Sequence, residues 1–215
     1  MGYVIGVDEV GRGALAGDVY TIGVLVLSDT APVKGVKDSK VMTAKQREEV
    51  SKALLGSYAV RWTRSSRTAK DIDRLGVGVA TAECFVECIE APLAQVDKII
   101  VDGVPIWPVN RWSVPTEFMP KADANVWAVG AASIIAKVMR DSYMKELAAK
   151  HPQYAWEKNK GYGTAAHIQA LRDFGLSPVH RTKFAMTALG LRGEKEPMQW
   201  GPDLPEDLND LFDLR

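Results

Sequence analysis

Acidic side chains stand at the end of two apolar segments of the sequence. Asp8 and Glu9 follow residues 3–7, and Asp102 follows residues 99–101. Both segments are typical of buried strands, and the carboxyl ends of neighbouring parallel strands meet at one edge of a sheet. Grouped carboxylates repel one another unless a cation neutralises them, and oxygen ligands suit Mg²⁺ or Mn²⁺. The pattern therefore predicts a two-metal site of the kind that hydrolyses phosphodiesters.

A fourth acid is needed to complete such a site, and the sequence offers Asp123 and Asp141. In a straight helix these two residues lie on one face but ~27 Å apart along the axis, so both cannot hold one metal pair. We expect Asp123 to be the ligand because it precedes the predicted helix and has loop-like neighbours. Asp141 follows Arg140 and is expected to make a structural ion pair.

Glu9 poses a geometrical problem. Consecutive residues of a strand point to opposite faces of the sheet, so Asp8 and Glu9 serve one site only if the strand twists or ends there. Gly11 makes a turn at that point plausible, since glycine allows backbone conformations that other residues avoid.

Hydrophobic periodicity and capping signals predict alternating strands and helices after an initial strand pair. The Thr43–Gln46 spacing has the form of a capping box, and Thr164 is expected to cap a helix that stops at Gly175. The predicted strands are residues 3–8, 19–27, 58–63 and 98–102, and the predicted helices are residues 44–55, 71–89, 124–149, 164–175 and one from about residue 178. This order predicts an α/β fold with a mixed sheet flanked by helices and a C-terminal helical segment.

Charge divides the sequence into a body and a tail. The 215 residues hold 27 basic and 27 acidic side chains, and seven of the acids but only two of the bases lie in residues 194–215. Residues 1–193 therefore carry a net charge of +5, which is compatible with phosphate binding, and we expect them to form one domain. Residues 194–215 are expected to form an acidic tail outside it. No apolar run is long enough to span a membrane, no signal peptide is evident, and Cys84 and Cys88 are the only cysteines, so a cytoplasmic location is expected.

Several segments, in this order along residues 3 to 185, resemble the signature motifs of ribonuclease HII, the type 2 ribonuclease H family. Any one of these motifs is weak evidence, but together they are highly specific. They are residues 6–13 (GVDEVGRG), 38–40 (DSK), 101–103 (VDG), 121–123 (KAD), 131–141 (AASIIAKVMRD), 160–164 (KGYGT) with His167, and 177–181 (SPVHR) with Phe184.

The resemblance implies an RNase H-like fold and hydrolysis of RNA paired with DNA, including single ribonucleotides embedded in duplex DNA. Family members cut on the 5′ side of the ribonucleotide and leave 3′-hydroxyl and 5′-phosphate ends. The resemblance assigns binding of Mg²⁺ or Mn²⁺ to four acids. These are Asp8, Glu9, Asp102 and Asp123.

The same resemblance implies how the substrate is recognised. The backbone at Gly11, Arg12 and Gly13, together with Tyr162, is expected to sense the ribose 2′-hydroxyl, the group that distinguishes RNA from DNA. Three further residues are expected to contact phosphates, namely Lys40, His180 and Arg181.

Four positions depart from the family pattern without removing a metal ligand: Ala14, Asp18, Val41 and Lys183. Asp18 stands where a proline is expected, and its negative charge is predicted to lie near the site and weaken substrate binding.

Two alternatives and one partner are also considered. Another RNase H-fold nuclease, of the Holliday-junction or transposase type, is disfavoured by the Gly-Arg-Gly and Lys-Gly-Tyr-Gly segments. A catalytically inert hybrid-binding protein is disfavoured because all four acids are present. The tail segment 208–214 loosely resembles the Leu-Phe peptides that dock on replication sliding clamps. We expect a monomer, with a sliding clamp as its possible partner.

Overall fold

A five-stranded mixed sheet forms the centre of the protein in a computed structural model, which describes residues 3–27, 33–105 and 112–191. The strands are β1 (Val4–Val10), β2 (Val19–Val26), β3 (Val60–Arg67), β4 (Lys98–Asp102) and β5 (Thr116–Met119), in the order β3-β2-β1-β4-β5. The helices are α1 (Ala44–Leu55), α2 (Ala69–Leu75), α3 (Val77–Glu90), α4 (Ala122–Asn125), α5 (Trp127–Lys150), α6 (Trp156–Asn159), α7 (Ala165–Phe174) and α8 (Thr182–Ala188).

The central strand β1 is antiparallel to β2 and parallel to β4. The parallel register pairs Val7 with Val101, so the residues that follow, Asp8 and Asp102, lie at the same edge of the sheet. This confirms the predicted α/β fold with a mixed sheet and helices on its faces.

Alternation along β1 divides the core between the two faces of the sheet. Ile5 and Val7 pack with α3 residues such as Phe85. The other face of the sheet packs on α5 and α1, where Ile22 of β2 meets Ile135 of α5. Since successive strand residues alternate between faces, Gly6 and Asp8 both lie on the α5 side.

The C-terminal helical segment has its own apolar cluster, built on the second half of α5. Met144 and Leu147 of α5 pack with Trp156 of α6, Leu171 of α7 and Ala185 of α8. This cluster holds the last three helices against the helix that crosses the sheet.

Local sequence signals predicted several elements accurately. The capping box of Thr43 and Gln46 is present at the start of α1, β4 has the predicted bounds, and Thr164 caps α7. Helix α7 is followed by Gly175, which confirms the predicted end.

Other predicted elements were wrong in their boundaries. The helix predicted over residues 71–89 is two helices, because Gly76 adopts φ 81° between α2 and α3. The long helix predicted from residue 124 is interrupted at Val126, which is extended (φ −118°), so Asp123 belongs to the separate helix α4. Strand β3 extends to Arg67, the last helix begins at Thr182, and β5 was not predicted.

Cys84 and Cys88 are buried and unpaired in the core. In the described residues, no helix is both long enough and apolar enough to cross a membrane. The predicted tail, residues 194–215, lies outside the described residues.

The close packing of β1 on α5 requires a glycine at position 6. A Cβ atom at Gly6 would lie 2.4 Å from the backbone carbonyl carbon of Ala128 and from the backbone nitrogen of Val129. We therefore expect Gly6→Ala to lower the free energy of unfolding by about 1–3 kcal/mol, as overpacking typically does, in a urea titration. Gly56→Ala is the matched control, because its Cβ would lie 3.5 Å from the nearest atom. Equal stability of the two variants would contradict this packing.

Candidate active site

A cleft of about 490 Å³ opens at the edge of the sheet where β1 and β4 end. It is lined by residues from the first strand, the loop after it, α1, α5 and the segment before α7. The lining residues are Asp8, Glu9, Val10, Gly11, Arg12, Gly13, Ser39, Lys40, Arg47, Asp102, Ser133, Lys137 and Tyr162. Eight of the eleven predicted site residues are therefore brought together here; the exceptions are Asp123, His180 and Arg181.

Asp8 is the most enclosed carboxylate of the cleft, with 6% of the residue exposed. Its Oδ1 accepts a hydrogen bond from the backbone N–H of Glu9 (2.7 Å), and its carboxylate also accepts one from the hydroxyl of Ser133 on α5. Ser133 in turn lies 3.0 Å, Oγ to Oγ, from Ser39. Burial raises the pKa of Asp8 well above its usual value, and the nearby charges of Glu9 and Asp102 raise it further.

Asp102 connects β4 to the start of α4. Its Oδ1 accepts a hydrogen bond from the backbone N–H of Ala122 (2.7 Å), which brings Asp123, the next residue, towards the cleft. Burial raises the pKa of Asp102, and the negative charge of Asp123 raises it further.

Asp123 lies behind the cleft lining and is almost completely buried. Its Oδ2 accepts a hydrogen bond from Lys40 Nζ (2.6 Å), whose side chain is otherwise largely exposed. This contact raises the pKa of Lys40. The lysine ammonium therefore neutralises the carboxylate that was predicted to be a metal ligand.

Glu9 reaches the cleft although β1 continues through Val10. The backbone turns only afterwards, at Gly11, whose φ is +90°. Glu9 lies 3.8 Å from Arg12 (Oε1 to Nη1), and burial raises the pKa of its carboxyl group. Glu9 and Asp8 thus line the same cleft because both lie near the end of β1. The strand itself does not end at Glu9.

The donor set fits a hard divalent cation. Asp8, Glu9 and Asp102 offer only oxygen atoms, and mutual repulsion and burial both disfavour their charged forms. In the described part of the protein, however, no three acidic, histidine or cysteine side chains are close enough together to hold a metal ion as they stand. Holding an ion with these carboxylates would therefore require side-chain movements, and Asp123 would join them in competition with Lys40.

The loop after β1 is held in place by hydrogen bonds from the fully buried Arg140 of α5. Its guanidinium donates to the backbone oxygens of Ala16 (3.1 Å), Asp18 (2.9 Å) and Lys160 (2.9 Å). A Cβ at Gly11 would lie 2.0 Å from Arg140 Nε, so only glycine fits there.

Asp141 does not pair with the neighbouring Arg140. The guanidinium of Arg140 is directed to backbone carbonyls, and Asp141 pairs instead with Lys137, one turn earlier on α5 (2.7 Å). The prediction that Asp141 makes a structural ion pair is confirmed.

His180 and Arg181 were predicted to contact phosphates, and the structure corrects this. Both are buried, at 3% and 0% exposure. Arg181 donates to the backbone oxygens of Gly17 (2.7 and 2.9 Å) and Arg12 (2.9 Å). Burial lowers the pKa of Arg181 to about 9, with the nearby charge of Arg140 adding to the effect. Arg181 therefore supports the loop that lines the cleft, and the backbone of His180 forms a β-bridge with Ala16 of the same loop.

Asp18 also differs from its prediction, because it lies outside the cleft lining in the described residues. Its carboxylate accepts a hydrogen bond from the hydroxyl of Tyr143 (2.9 Å) and interacts favourably with the positive charges of Arg181 and Arg140. The negative charge thus faces buried cations.

Four polar lining residues were missed as site residues by sequence reasoning: Ser39, Arg47, Ser133 and Lys137. Ser133 lies in an alanine-rich helix and Arg47 in an ordinary helix turn, so neither has a distinctive spacing. The i, i+4 spacing of Lys137 and Asp141 was one usable signal, and the motif-like segments 38–40 and 131–141, which hold Ser39, Ser133 and Lys137, were another.

The mixed sheet flanked by helices, with carboxylates at the ends of two adjacent parallel strands, has the architecture of an RNase H-like nuclease. A family model described as Ribonuclease HII matches residues 5–187. Curated proteins named Ribonuclease HII are similar: one from Laribacter hongkongensis is 40% identical over 84% of this protein and 90% of its own length, and one from Geobacillus sp. is 36% identical over 92% and 69%.

Solved structures of ribonucleases are also similar to this protein. The ribonuclease H2 of Pyrococcus horikoshii has a TM-score of 0.68 at 26% identity, covering 86% of this protein and 96% of its own length. A PCNA:RNase HII complex from Archaeoglobus fulgidus has a TM-score of 0.73 at 25% identity, covering 90% and 98%. The protein described here belongs to the ribonuclease HII family, whose members are endoribonucleases acting on the RNA of RNA/DNA hybrids.

The contact between Lys40 and Asp123 is expected to weaken the affinity of the protein for Mn²⁺. Lys40→Met removes the ammonium that competes for the Asp123 carboxylate, so Mn²⁺ should bind about fivefold more tightly, the equivalent of one lost hydrogen bond. Isothermal titration calorimetry in the absence of nucleic acid measures this. Lys45→Met, an exposed change on α1, is the control. Unchanged or weaker Mn²⁺ binding by Lys40→Met would show that Lys40 does not compete with the metal.

Proposed function

We propose that the protein hydrolyses the RNA strand of RNA/DNA hybrids and cuts on the 5′ side of single ribonucleotides embedded in duplex DNA. The products would carry 3′-hydroxyl and 5′-phosphate ends. Two divalent cations, Mg²⁺ or Mn²⁺, would be held by Asp8, Glu9, Asp102 and Asp123.

The observation that carries the proposal is the meeting of Asp8 and Asp102 at one cleft, with the Ala122 N–H bond bringing Asp123 beside Asp102. When bound, the cations would activate water and stabilise the leaving oxygen of an in-line displacement. Ser133 keeps Asp8 oriented, and the Ala122 N–H keeps Asp102 oriented. Because the cations would activate the water, the cleft needs no histidine base. A relative of the same fold, a ribonuclease HIII at 19% identity, was solved in complex with Mn²⁺, which agrees with this ligand chemistry.

Four basic side chains in the cleft support binding of a nucleic-acid backbone: Arg12, Lys40, Arg47 and Lys137. Arg12 and Lys40 are paired with Glu9 and Asp123, two of the proposed metal ligands. If cations take those carboxylates, the two basic side chains become available to phosphates. Metal and substrate binding would then favour each other.

Selectivity for ribose is supported by a second group of residues that line the cleft. Gly13 is exposed, and a Cβ there would meet no atom within 4 Å, so the backbone at this position is open to close approach by a sugar. Gly11 and Tyr162 line the cleft with it. Arg140 lies over the Tyr162 ring (5.6 Å to its centre), which restrains the ring's position. A surface of backbone groups and a hydroxyl suits recognition of a 2′-hydroxyl.

A DNA duplex with one ribonucleotide tests the proposal. With Mg²⁺ or Mn²⁺ the wild-type protein should cut it 5′ to the ribonucleotide, and Asp102→Asn should slow the cut by roughly a hundredfold to a thousandfold, since it removes one charge from the proposed site. Gel analysis of single-turnover reactions measures both. Glu117→Gln is the control: this carboxylate of β5 pairs with Lys98 (2.9 Å), outside the cleft lining.

Three results would contradict parts of the proposal. Binding without cutting by the wild type would favour the alternative of an inert hybrid-binding protein. Cleavage of long hybrids but never of the single ribonucleotide would remove the proposed role of Gly11, Arg12, Gly13 and Tyr162. Equal cleavage rates for Asp102→Asn and the wild type would contradict a role for Asp102 in the cleavage reaction.

We further propose that the tail, through residues 208–214, docks on a replication sliding clamp. The Leu-Phe pattern of those residues supports this, and a similar ribonuclease HII was solved in complex with PCNA. Deleting residues 203–215 should abolish binding to the clamp in a surface plasmon resonance measurement and leave cleavage of the free duplex unchanged. Clamp binding that survives the deletion would contradict a role for the tail.

A further inference from the structure

A row of buried aromatic nitrogens lies directly behind Tyr162. It consists of Trp156 on α6, His167 in the first turn of α7 and His180 before α8, which are 0%, 0% and 3% exposed. His167 Nε2 lies 3.0 Å from the indole Nε1 of Trp156 and 3.1 Å from Nε2 of His180. His167 Nδ1 lies 3.0 Å from the backbone oxygen of Tyr162.

These contacts define the proton positions of both imidazoles. The Tyr162 oxygen can only accept, so His167 Nδ1 must carry a proton. The indole N–H can only donate, so His167 Nε2 must accept, and its single lone pair is shared between the indole N–H and His180 Nε2–H. His180 Nδ1 accepts from the backbone N–H of Ser177 (2.8 Å) and faces its hydroxyl (2.9 Å). The Trp156 N–H and the Ser177 N–H both find an acceptor only if both rings are neutral.

The surroundings favour the neutral forms. Burial lowers the pKa of His167, and burial together with the nearby His167 lowers the pKa of His180 to about 4. His151 packs against Trp156 (5.5 Å between ring centres), and its charge also disfavours a charged His180. Tyr154 stacks on Trp156 (5.0 Å) and meets the edge of His180 (4.6 Å).

We propose that His167 is a positioning residue for substrate selectivity, because its Nδ1–H holds the Tyr162 carbonyl and thereby sets where Tyr162 meets the ribose. The inference rests on the proposed function. The segment around Tyr162 needs such a support, since Lys160 and Gly161 have φ of 54° and 83° and leave the regular helix before it. The Tyr162 oxygen also accepts from the backbone N–H of Thr164 (2.8 Å), so His167 is one of two donors to it.

Two substitutions separate positioning from stability. His167→Asn keeps a donor near the Nδ1 position and loses the Nε2 acceptor, whereas His167→Gln keeps an acceptor near Nε2 and loses the Nδ1 donor. Both should lower the melting temperature, because each leaves a buried polar group without its partner. Only His167→Gln should lose selectivity.

The readout is the ratio of kcat/KM for a single-ribonucleotide duplex to kcat/KM for a long RNA/DNA hybrid. His167→Gln should lower this ratio roughly fivefold or more, the effect of one hydrogen bond, while His167→Asn stays within about twofold of the wild type. His151→Gln, a change at a histidine that packs on the same tryptophan, should leave the ratio unchanged.

A ratio that falls equally in the Asn and Gln variants, or in neither, would overturn the positioning role. If the wild type does not cut the single-ribonucleotide duplex at all, the proposed function fails instead, so the two failures are distinguishable. A second measurement needs no variant. In ¹⁵N NMR of the wild type at neutral pH, His167 should be the neutral Nδ1–H tautomer and His180 the neutral Nε2–H tautomer, and the opposite tautomer or a charged ring at His167 would also overturn the inference.

Discussion

The contact between β1 and α5 determines where the carboxylates of the cleft can lie. Because Gly6 has no side chain, the helix backbone at Ala128 and Val129 approaches the central strand directly. Asp8, two residues further along the same face of β1, then reaches Ser133 of α5. The same helix begins immediately after α4, which carries Asp123. One close approach thus brings the sheet edge and the helix start to the same cleft.

The loop that follows β1 depends on a second constraint, the two buried arginines. Arg140 and Arg181 donate to five backbone oxygens between them, four of which belong to residues 12–18. A guanidinium can do this because it offers several donors in a rigid plane, which a lysine ammonium does not. Burying a cation is costly unless its donors are satisfied, so the loop and the arginines stabilise each other in one conformation. A loop prepared in this way would lose little conformational freedom on binding a substrate.

The sequence alone predicted much of this architecture, and the reasons for success and failure are physical. Strong local signals, such as the Thr43 capping box and the apolar run of β4, predicted elements correctly, because capping and burial act over a few residues. The carboxylates at strand ends were placed together correctly, since parallel strands impose that geometry. The side chains of His180 and Arg181 were misjudged because polar residues are usually exposed, and only the tertiary fold provides the carbonyls and imidazole that satisfy them in the core. The break at Val126 was missed because its residue type does not terminate helices.

The central claim is that Asp8 and Asp102 together hold a divalent cation, with Lys40 releasing Asp123 as it binds. A crystal structure of the protein grown with Mn²⁺, with the ion located by its anomalous scattering, tests this claim most directly. The account predicts an anomalous peak bonded to carboxylate oxygens of Asp8 and Asp102, with Lys40 Nζ no longer within hydrogen-bond distance of Asp123. A fully occupied Mn²⁺ bound elsewhere, with no peak between Asp8 and Asp102 and the Lys40–Asp123 contact intact, would contradict it.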